Sequence, residues 1–399
     1  MKKMISLVLC VFLLWISAVP VSAETTYAAA EGNPAVLTIN TAAKIDVRAK
    51  AYVLMDSNTG TVLAASGEHE RLYPASVTKI MTLLLVCEAI QSGKLTFDET
   101  LTCSETAAAK GGSQIWLEPG EEMTVRDLLK AAAVYSANDA CALLGEAVAG
   151  SEAAFAEMMN QKAQFLGMKD THFDNCTGLD DDTTTHLTTA YDIALMSRAL
   201  LDIDFITEYS TIWMDELRGG KTQLVNTNRL IRYYTGATGL KTGTTSKAGC
   251  CVSATAQRNG LGLIAVVMGA ANSNDRFNGA RALLDYGFAN YEIFTPFIDT
   301  TQLGTVKVHH GEAAEVTLIA DTARDVLISK GAAAGVTQTT EITEETDAPV
   351  SAGQQFGAVR FYSGSELLAE YTLKAAADVP ALTFFTALRR ILGSLAPQN

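Results

Sequence analysis

Histidine is scarce in this 399-residue chain: His69, His172, His186, His309 and His310 are all it has, and only the last two are neighbours. A catalytic apparatus built on imidazole, or a zinc site of clustered His and Cys, has little to work with, and no Cys-x-x-Cys pair fills the gap. We expect no cofactor and no metal, beyond adventitious binding at His309-His310. Positive charge is short as well. Against 44 Asp and Glu stand 30 Lys and Arg, for a formal net charge of −14. That argues against nucleic acid and strongly anionic ligands, and leaves a neutral or mildly anionic peptide as a compatible partner.

Long apolar runs are equally few. The run from Ile5 to Val19, after Met1-Lys2-Lys3 and before Val21-Ser22-Ala23, reads as a secretory signal peptide over residues 1–23. Cys10 sits inside that apolar core with no small residues before it, which removes a lipoprotein reading. The Ala- and Thr-rich stretch that follows reads as a flexible leader over residues 24–44. Export leaves Cys87, Cys103, Cys141, Cys176, Cys250 and Cys251, an even set that fixes no pairing. Cys87 and Cys141 lie in apolar helical runs and read as small buried hydrophobes.

What the chain does contain is three short strings in a fixed order: Ser76-Val77-Thr78-Lys79, Ser136-Ala137-Asn138 and Lys241-Thr242-Gly243. A serine hydroxyl becomes a nucleophile when a neighbouring base takes its proton, and a lysine amine held neutral can be that base. If a helix starts at Pro74-Ala75 and runs through Leu85, Ser76 and Lys79 share one face. Ser76 then lies at the helix N-terminus, where free N–H groups favour developing negative charge. Ser136 and Asn138 fall between helical stretches Val125–Tyr135 and Asp139–Ala149, with Thr124 as a cap and Gly150 as a stop. They could project into a cleft or merely cap the second helix. The third string precedes two β-rich runs, Cys250 to Thr255 and Leu261 to Met268, joined by Arg258-Asn259-Gly260, so it reads as an edge strand beside a hairpin. Such an edge offers backbone groups to an extended peptide, Gly243 permits close approach, and Lys241 and Thr242 suit a carboxylate. Taken singly each string has an ordinary structural explanation; the order of all three is what carries weight.

The strings and their flanks resemble the serine D-Ala-D-Ala carboxypeptidases, the low-molecular-mass penicillin-binding proteins. The matching blocks are Tyr73 to Thr82, Leu117-Glu118-Pro119-Gly120, Ser136 to Cys141, Thr177-Gly178-Leu179-Asp180 and Leu240 to Thr244, spread over residues 45–295. The resemblance implies an α/β (α+β) domain of the β-lactamase/transpeptidase type, an antiparallel sheet flanked by helices. It also implies an acyl-enzyme on Ser76 that releases the terminal D-alanine of a peptidoglycan stem peptide, with inhibition by β-lactams. Lys79 would be the base and Ser136 the proton relay, helped by Lys241; Asn138 would hold the substrate backbone and Thr242 its carboxylate. The N–H groups of Ser76 and Thr244 would form the oxyanion hole beside Gly243. Arg276 falls where the family has a carboxylate-recognising arginine, although a solvent-facing arginine at a helix start would look the same. A β-lactamase would need a glutamate between the second and third strings, and none occurs from Gln161 to Thr207. The Asp180-Asp181-Asp182 run in that stretch reads as a solvated loop, and Ala137 departs from the family's S-D-N form. Cleavage of D-Ala cross-links in the same site stays open, and a wall-binding scaffold without turnover would have little use for the intact serines and lysines.

Beyond Phe294-Thr295-Pro296 helical periodicity gives way to short alternating runs: Gly304 to His309, Ala314 to Ile319, Asp325 to Ser329, Phe356 to Tyr362 and Leu367 to Leu373. They suggest a small β-rich domain over residues 297–377, a sandwich by family resemblance, with Glu341 to Asp347 as an exposed acidic loop. Over residues 380–396 the apolar Phe384, Phe385, Leu388, Ile391, Leu392 and Leu395 share one helical face, and Arg389 and Arg390 lie opposite. That is too short to span a bilayer but suits a helix lying on an anionic membrane surface, or packed on the β domain. The expected location is the extracytoplasmic face of the cell membrane.

Overall fold

The computed structural model describes residues 45–394; the expected signal peptide and leader lie outside the described residues. Strands β1 (Ala51–Asp56), β2 (Val62–Ser66), β3 (Ala237–Thr245), β4 (Gly249–Arg258) and β5 (Leu261–Ala270) form one antiparallel sheet in the order β2-β1-β5-β4-β3. The central strand β5, Leu-Gly-Leu-Ile-Ala-Val-Val-Met-Gly-Ala, is apolar at nearly every position because both faces of the sheet are covered. The β4–β5 hairpin turns on Asn259 (φ 50°) and Gly260 (φ 82°), the mirror-image turn that matches strand twist, as the Asn-Gly pair predicts.

Helices α1 (Lys79–Gln91), α2 (Asn138–Ala149) and α3 (Ala190–Leu201) pack in the core on one side of the sheet, and α4 (Ser273–Asn290) covers the other. Residues Lys79 to Cys87 of α1 are buried without a break, so this is an internal helix, not an amphipathic one. Each fully buried Leu, Ile or Met there contributes about 1.5–3 kcal/mol. All six cysteines of the described residues are buried and free, Cys87 and Cys141 among them as small core side chains.

The helix expected from Pro74 has two stages: a 3₁₀ turn at Ala75–Thr78 leads into α1 at Lys79. Likewise the Val125–Tyr135 stretch is α-helical only to Lys130 and widens into a π turn over Ala131–Tyr135. Thr124 does cap it, its hydroxyl accepting from Asp127 N, and Gly150 (φ 84°) ends α2. Both departures sit at the serines of the first two strings, Ser76 within the 3₁₀ turn and Ser136 at the end of the π turn.

The chain leaves α4 directly into strand Tyr291–Phe294, which pairs with Val326–Ser329. A six-stranded sheet follows around its own core, with strand Glu315–Ala320 pairing first with Thr305–His309 and then, from Leu318, with Glu366–Ala375. The acidic stretch expected as a loop is instead largely strand, within Val336–Ile342 and Glu345–Asp347, with its charges still exposed. The last described element is a helix, Phe384–Ser394, with Phe384, Phe385 and Leu388 exposed; Leu395 lies outside the described residues. No described helix is long and apolar enough to cross a membrane.

Candidate active site

The approach to Ser76 begins with backbone strain. Ala75, just before Ser76, has φ 49°, and its carbonyl lies against Gly178, where a Cβ would come within 1.9 Å. Glycine at 178 (φ 84°) is therefore required by both conformation and space. The turn presents Ser76 at the cleft, and one helical step later Lys79 Nζ donates to Ser76 Oγ at 3.0 Å and to the Thr177 carbonyl at 2.7 Å. Lys79 is fully buried, and desolvation pushes its pKa below the ordinary lysine value, opposed in part by Cys141, Cys176 and Asp139.

A second lysine closes the same site. Lys241 on the edge strand β3 is also buried, donates to the Thr242 carbonyl at 3.1 Å, and is held well below the usual range by burial and then by the charge of Lys79. Two ammonium groups this deep repel each other, so the pair favours an amine that can accept a proton. Gly243 follows; a Cβ there would stand 2.8 Å from Pro74 O and Ser76 N and 2.9 Å from Val77 N. The edge strand thus runs against the backbone of the nucleophile turn, which is what brings the Ser76 and Thr244 regions together.

From the third side comes Ser136, in the left-handed region (φ 68°) at the end of the π turn. Neither it nor Asn138 caps α2: the cap position is Ala137 and no side chain bonds there. Ser136 Oγ and Asn138 Oδ1 are buried with no hydrogen-bond partner, while Asn138 Nδ2 donates to the Gly111 carbonyl at 2.6 Å. Buried unpartnered acceptors and hydroxyls are costly in an ordinary core and make sense where a ligand supplies the missing bonds. Thr242 Oγ1 donates to Thr227 Oγ1 at 2.8 Å; a hydroxyl rotates to suit its partner, so with Thr227 donating instead, Thr242 is free to donate to a ligand's carboxylate.

Arg276 is neither solvent-facing nor free. It is 6% exposed, and its Nη1 donates to the Gly243 carbonyl and to Thr244 Oγ1, both at 3.1 Å, while burial lowers its pKa. It braces the inner side of β3. The Asp180 reading needs a correction too: Asp180 is buried and accepts from Thr245 Oγ1 at 2.5 Å, tying its loop to the end of β3, and only Asp181 and Asp182 are exposed.

Sequence reasoning missed several supporting residues. His186 is fully buried; its Nδ1 accepts from Asp174 N at 3.0 Å, so its Nε2 carries the proton and donates to Thr78 Oγ1 at 2.8 Å. It thereby locks the 174–178 loop onto the Ser76–Lys79 turn. Asp139 accepts from Ile115 N and Leu117 N, fixing the wall beside Asn138. Asp139 and Thr177 stood within recognisable blocks, but their jobs depend on contacts far apart in sequence.

A serine hydroxyl beside a desolvated amine and an open strand edge is an arrangement suited to acyl transfer, on a transpeptidase-like fold; the protein is of that class. A family model described as D-alanyl-D-alanine carboxypeptidase matches residues 38–272, and the C-terminal domain of penicillin-binding protein 5 matches residues 291–381. The chain belongs to the D-alanyl-D-alanine carboxypeptidase family and is a serine-type peptidase. It is 40% identical over 349 residues to D-alanyl-D-alanine carboxypeptidase DacF of Bacillus subtilis, covering 86% of this chain and 89% of that protein. Penicillin-binding protein 5 of Haemophilus influenzae has the same fold, with a TM-score of 0.72 at 31% identity over 84% of this chain and 98% of that one. A penicillin-binding protein of Listeria monocytogenes solved with ampicillin matches 62% of this chain and all of its own, with a TM-score of 0.57 at 31% identity.

Proposed function

We propose that the chain removes the terminal D-alanine from peptidoglycan stem peptides ending in D-Ala-D-Ala, through an ester on Ser76. The observation that carries this is Lys79 Nζ at 3.0 Å from Ser76 Oγ, buried and biased toward the neutral amine. Lys79 takes the serine proton as Ser76 Oγ attacks the carbonyl between the two D-alanines. The backbone N–H groups of Ser76 and Thr244 receive the oxyanion, where one donor is worth on the order of a hundredfold or more in rate. The proton taken by Lys79 passes through Ser136, which gives its own proton to the leaving D-alanine nitrogen and is reprotonated in turn, with Lys241 helping by its charge, and Asn138 binds the donor peptide amide. The Thr242 and Thr244 hydroxyls turn their protons from Thr227 and the Gly243 carbonyl to the terminal carboxylate, with Arg276 holding Gly243 and Thr244 from behind and adding positive potential. Water then hydrolyses the ester and restores Ser76.

The same ester formed with a β-lactam keeps its leaving group tethered, so water attack is slow and the drug inhibits. For location we infer the extracytoplasmic membrane surface, held by the terminal helix through Phe384, Phe385 and Leu388; deletion of residues 383–399 then moves the protein to the soluble fraction, and unchanged fractionation contradicts this. The reaction itself is tested by product analysis on a monomeric pentapeptide and on a D-Ala cross-linked dimer. Free D-alanine from the first and little cleavage of the second is expected; the reverse would make it a cross-link hydrolase.

A further inference from the structure

Beside the catalytic cleft lies a second, open cavity of about 600 Å³ between the 115–121 segment and the hairpin Met214–Val225. Two of its lining residues are held in the left-handed region, Trp116 (φ 59°) and Arg218 (φ 53°). Such strain persists only where the surroundings enforce it, and it clusters at functional sites. The enforcement is visible. Asp139 accepts from the N–H groups on either side of Trp116, so the indole is thrust outward, 74% exposed, at the cavity's rim. Arg218 is clamped by Glu121 through Nε and Nη2, at 2.6 and 3.1 Å, and by the Ile115 carbonyl at 2.8 Å.

The chemistry of the lining narrows the ligand. Glu118 and Glu121 are balanced by Arg218 and Lys221, with Gln223 beside them, so the cavity prefers neither sign of charge. A flat exposed indole over neutral, hydrogen-bonding walls suits a ring with one apolar face and many hydroxyl and amide groups. Position narrows it further. Asp139, the residue after Asn138, accepts from Leu117 N, the residue after Trp116, at 3.0 Å, which puts the backbone of Trp116 within roughly 10 Å of the Asn138 backbone. A stem of about four residues between the scissile carbonyl and its sugar spans roughly 13 Å. We propose that this cavity is a subsite for the N-acetylated sugar that carries the stem peptide, an inference that rests on the carboxypeptidase reading.

The test compares kcat/KM for a free D-Ala-D-Ala pentapeptide and for the same pentapeptide on its N-acetylglucosamine–N-acetylmuramic acid disaccharide. In wild type the glycosylated substrate is favoured about tenfold, and in Trp116→Ala, and in Lys221→Ala as a second surface variant, that ratio falls toward one. A wild-type ratio near one, or a ratio unchanged in both variants, overturns the subsite. Release of D-alanine from neither substrate would instead overturn the carboxypeptidase reading. Binding of the free disaccharide, followed at the Trp116 indole N–H resonance, then decides the subsite: a saturable shift supports it and no shift removes it.

Discussion

At the scale of the residue, acylation of Ser76 depends on the protonation of Lys79. Burial lowers its pKa, so kcat/KM rises with pH as the ammonium loses its proton, with the acid limb centred below the ordinary lysine value of about 10.4. Lys79→Arg keeps a cation that cannot deprotonate; acylation by a chromogenic β-lactam falls by about a hundredfold or more and loses that limb, and an intact profile would remove Lys79 as the base. The three strings that hold Ser76, Lys79, Ser136, Asn138 and Lys241 were legible in the sequence because local spacing and motif order suffice to read them. The Thr177 carbonyl, 98 residues from Lys79, and the His186 ring, 108 residues from Thr78, were not. No local pattern marks a backbone carbonyl as a lysine's partner. Arg276 shows the same limit: its motif position was visible, but only packing shows it bracing β3.

At the scale of the element, the nucleophile turn and β3 act as one unit, held at contact distance by glycines. Gly243→Ala would press a Cβ onto backbone atoms of Pro74, Ser76 and Val77, none of which can swing away as a side chain could. The strand must shift, and we expect acylation to drop about a hundredfold while stability falls by only about 1–3 kcal/mol. Near-normal acylation with an unchanged melting temperature would show that the approach is looser than the structure has it. The hairpin of β4 and β5 was readable from its Asn-Gly turn, and the Thr124 cap from its spacing. The π turn before Ser136 and the strands in the acidic stretch were not, since helix periodicity cannot show a widened last turn and exposed acidic strands look like loops.

At the scale of the molecule, buried His186 makes stability depend on pH. Its folded pKa is lowered to about 4, chiefly by desolvation, from the ordinary imidazole value of about 6.5. The unfolded chain therefore binds the proton more tightly. Stability contributed by the neutral ring is intact above about pH 6.5, is lost as pH falls toward 4, and totals roughly 3 kcal/mol. Thermal unfolding across that window should show a steep fall in wild type and a shallower one in His186→Gln; parallel curves would place the acid sensitivity elsewhere. The two units of the chain were foreshadowed by the change from helical to alternating periodicity after Phe294. What that change could not convey is that strand Tyr291–Phe294 pairs with Val326–Ser329, because strand pairing across such a gap leaves no local signature.

The central claim, that Ser76 attacks a D-Ala-D-Ala bond, is tested most directly by assaying free D-alanine released from a D-Ala-D-Ala pentapeptide by the mature protein and by Ser76→Ala. Release by the wild type and none above background by the variant is the expected result. Equal release from both would mean that Ser76 is not the nucleophile, and the mechanism built on it would be wrong.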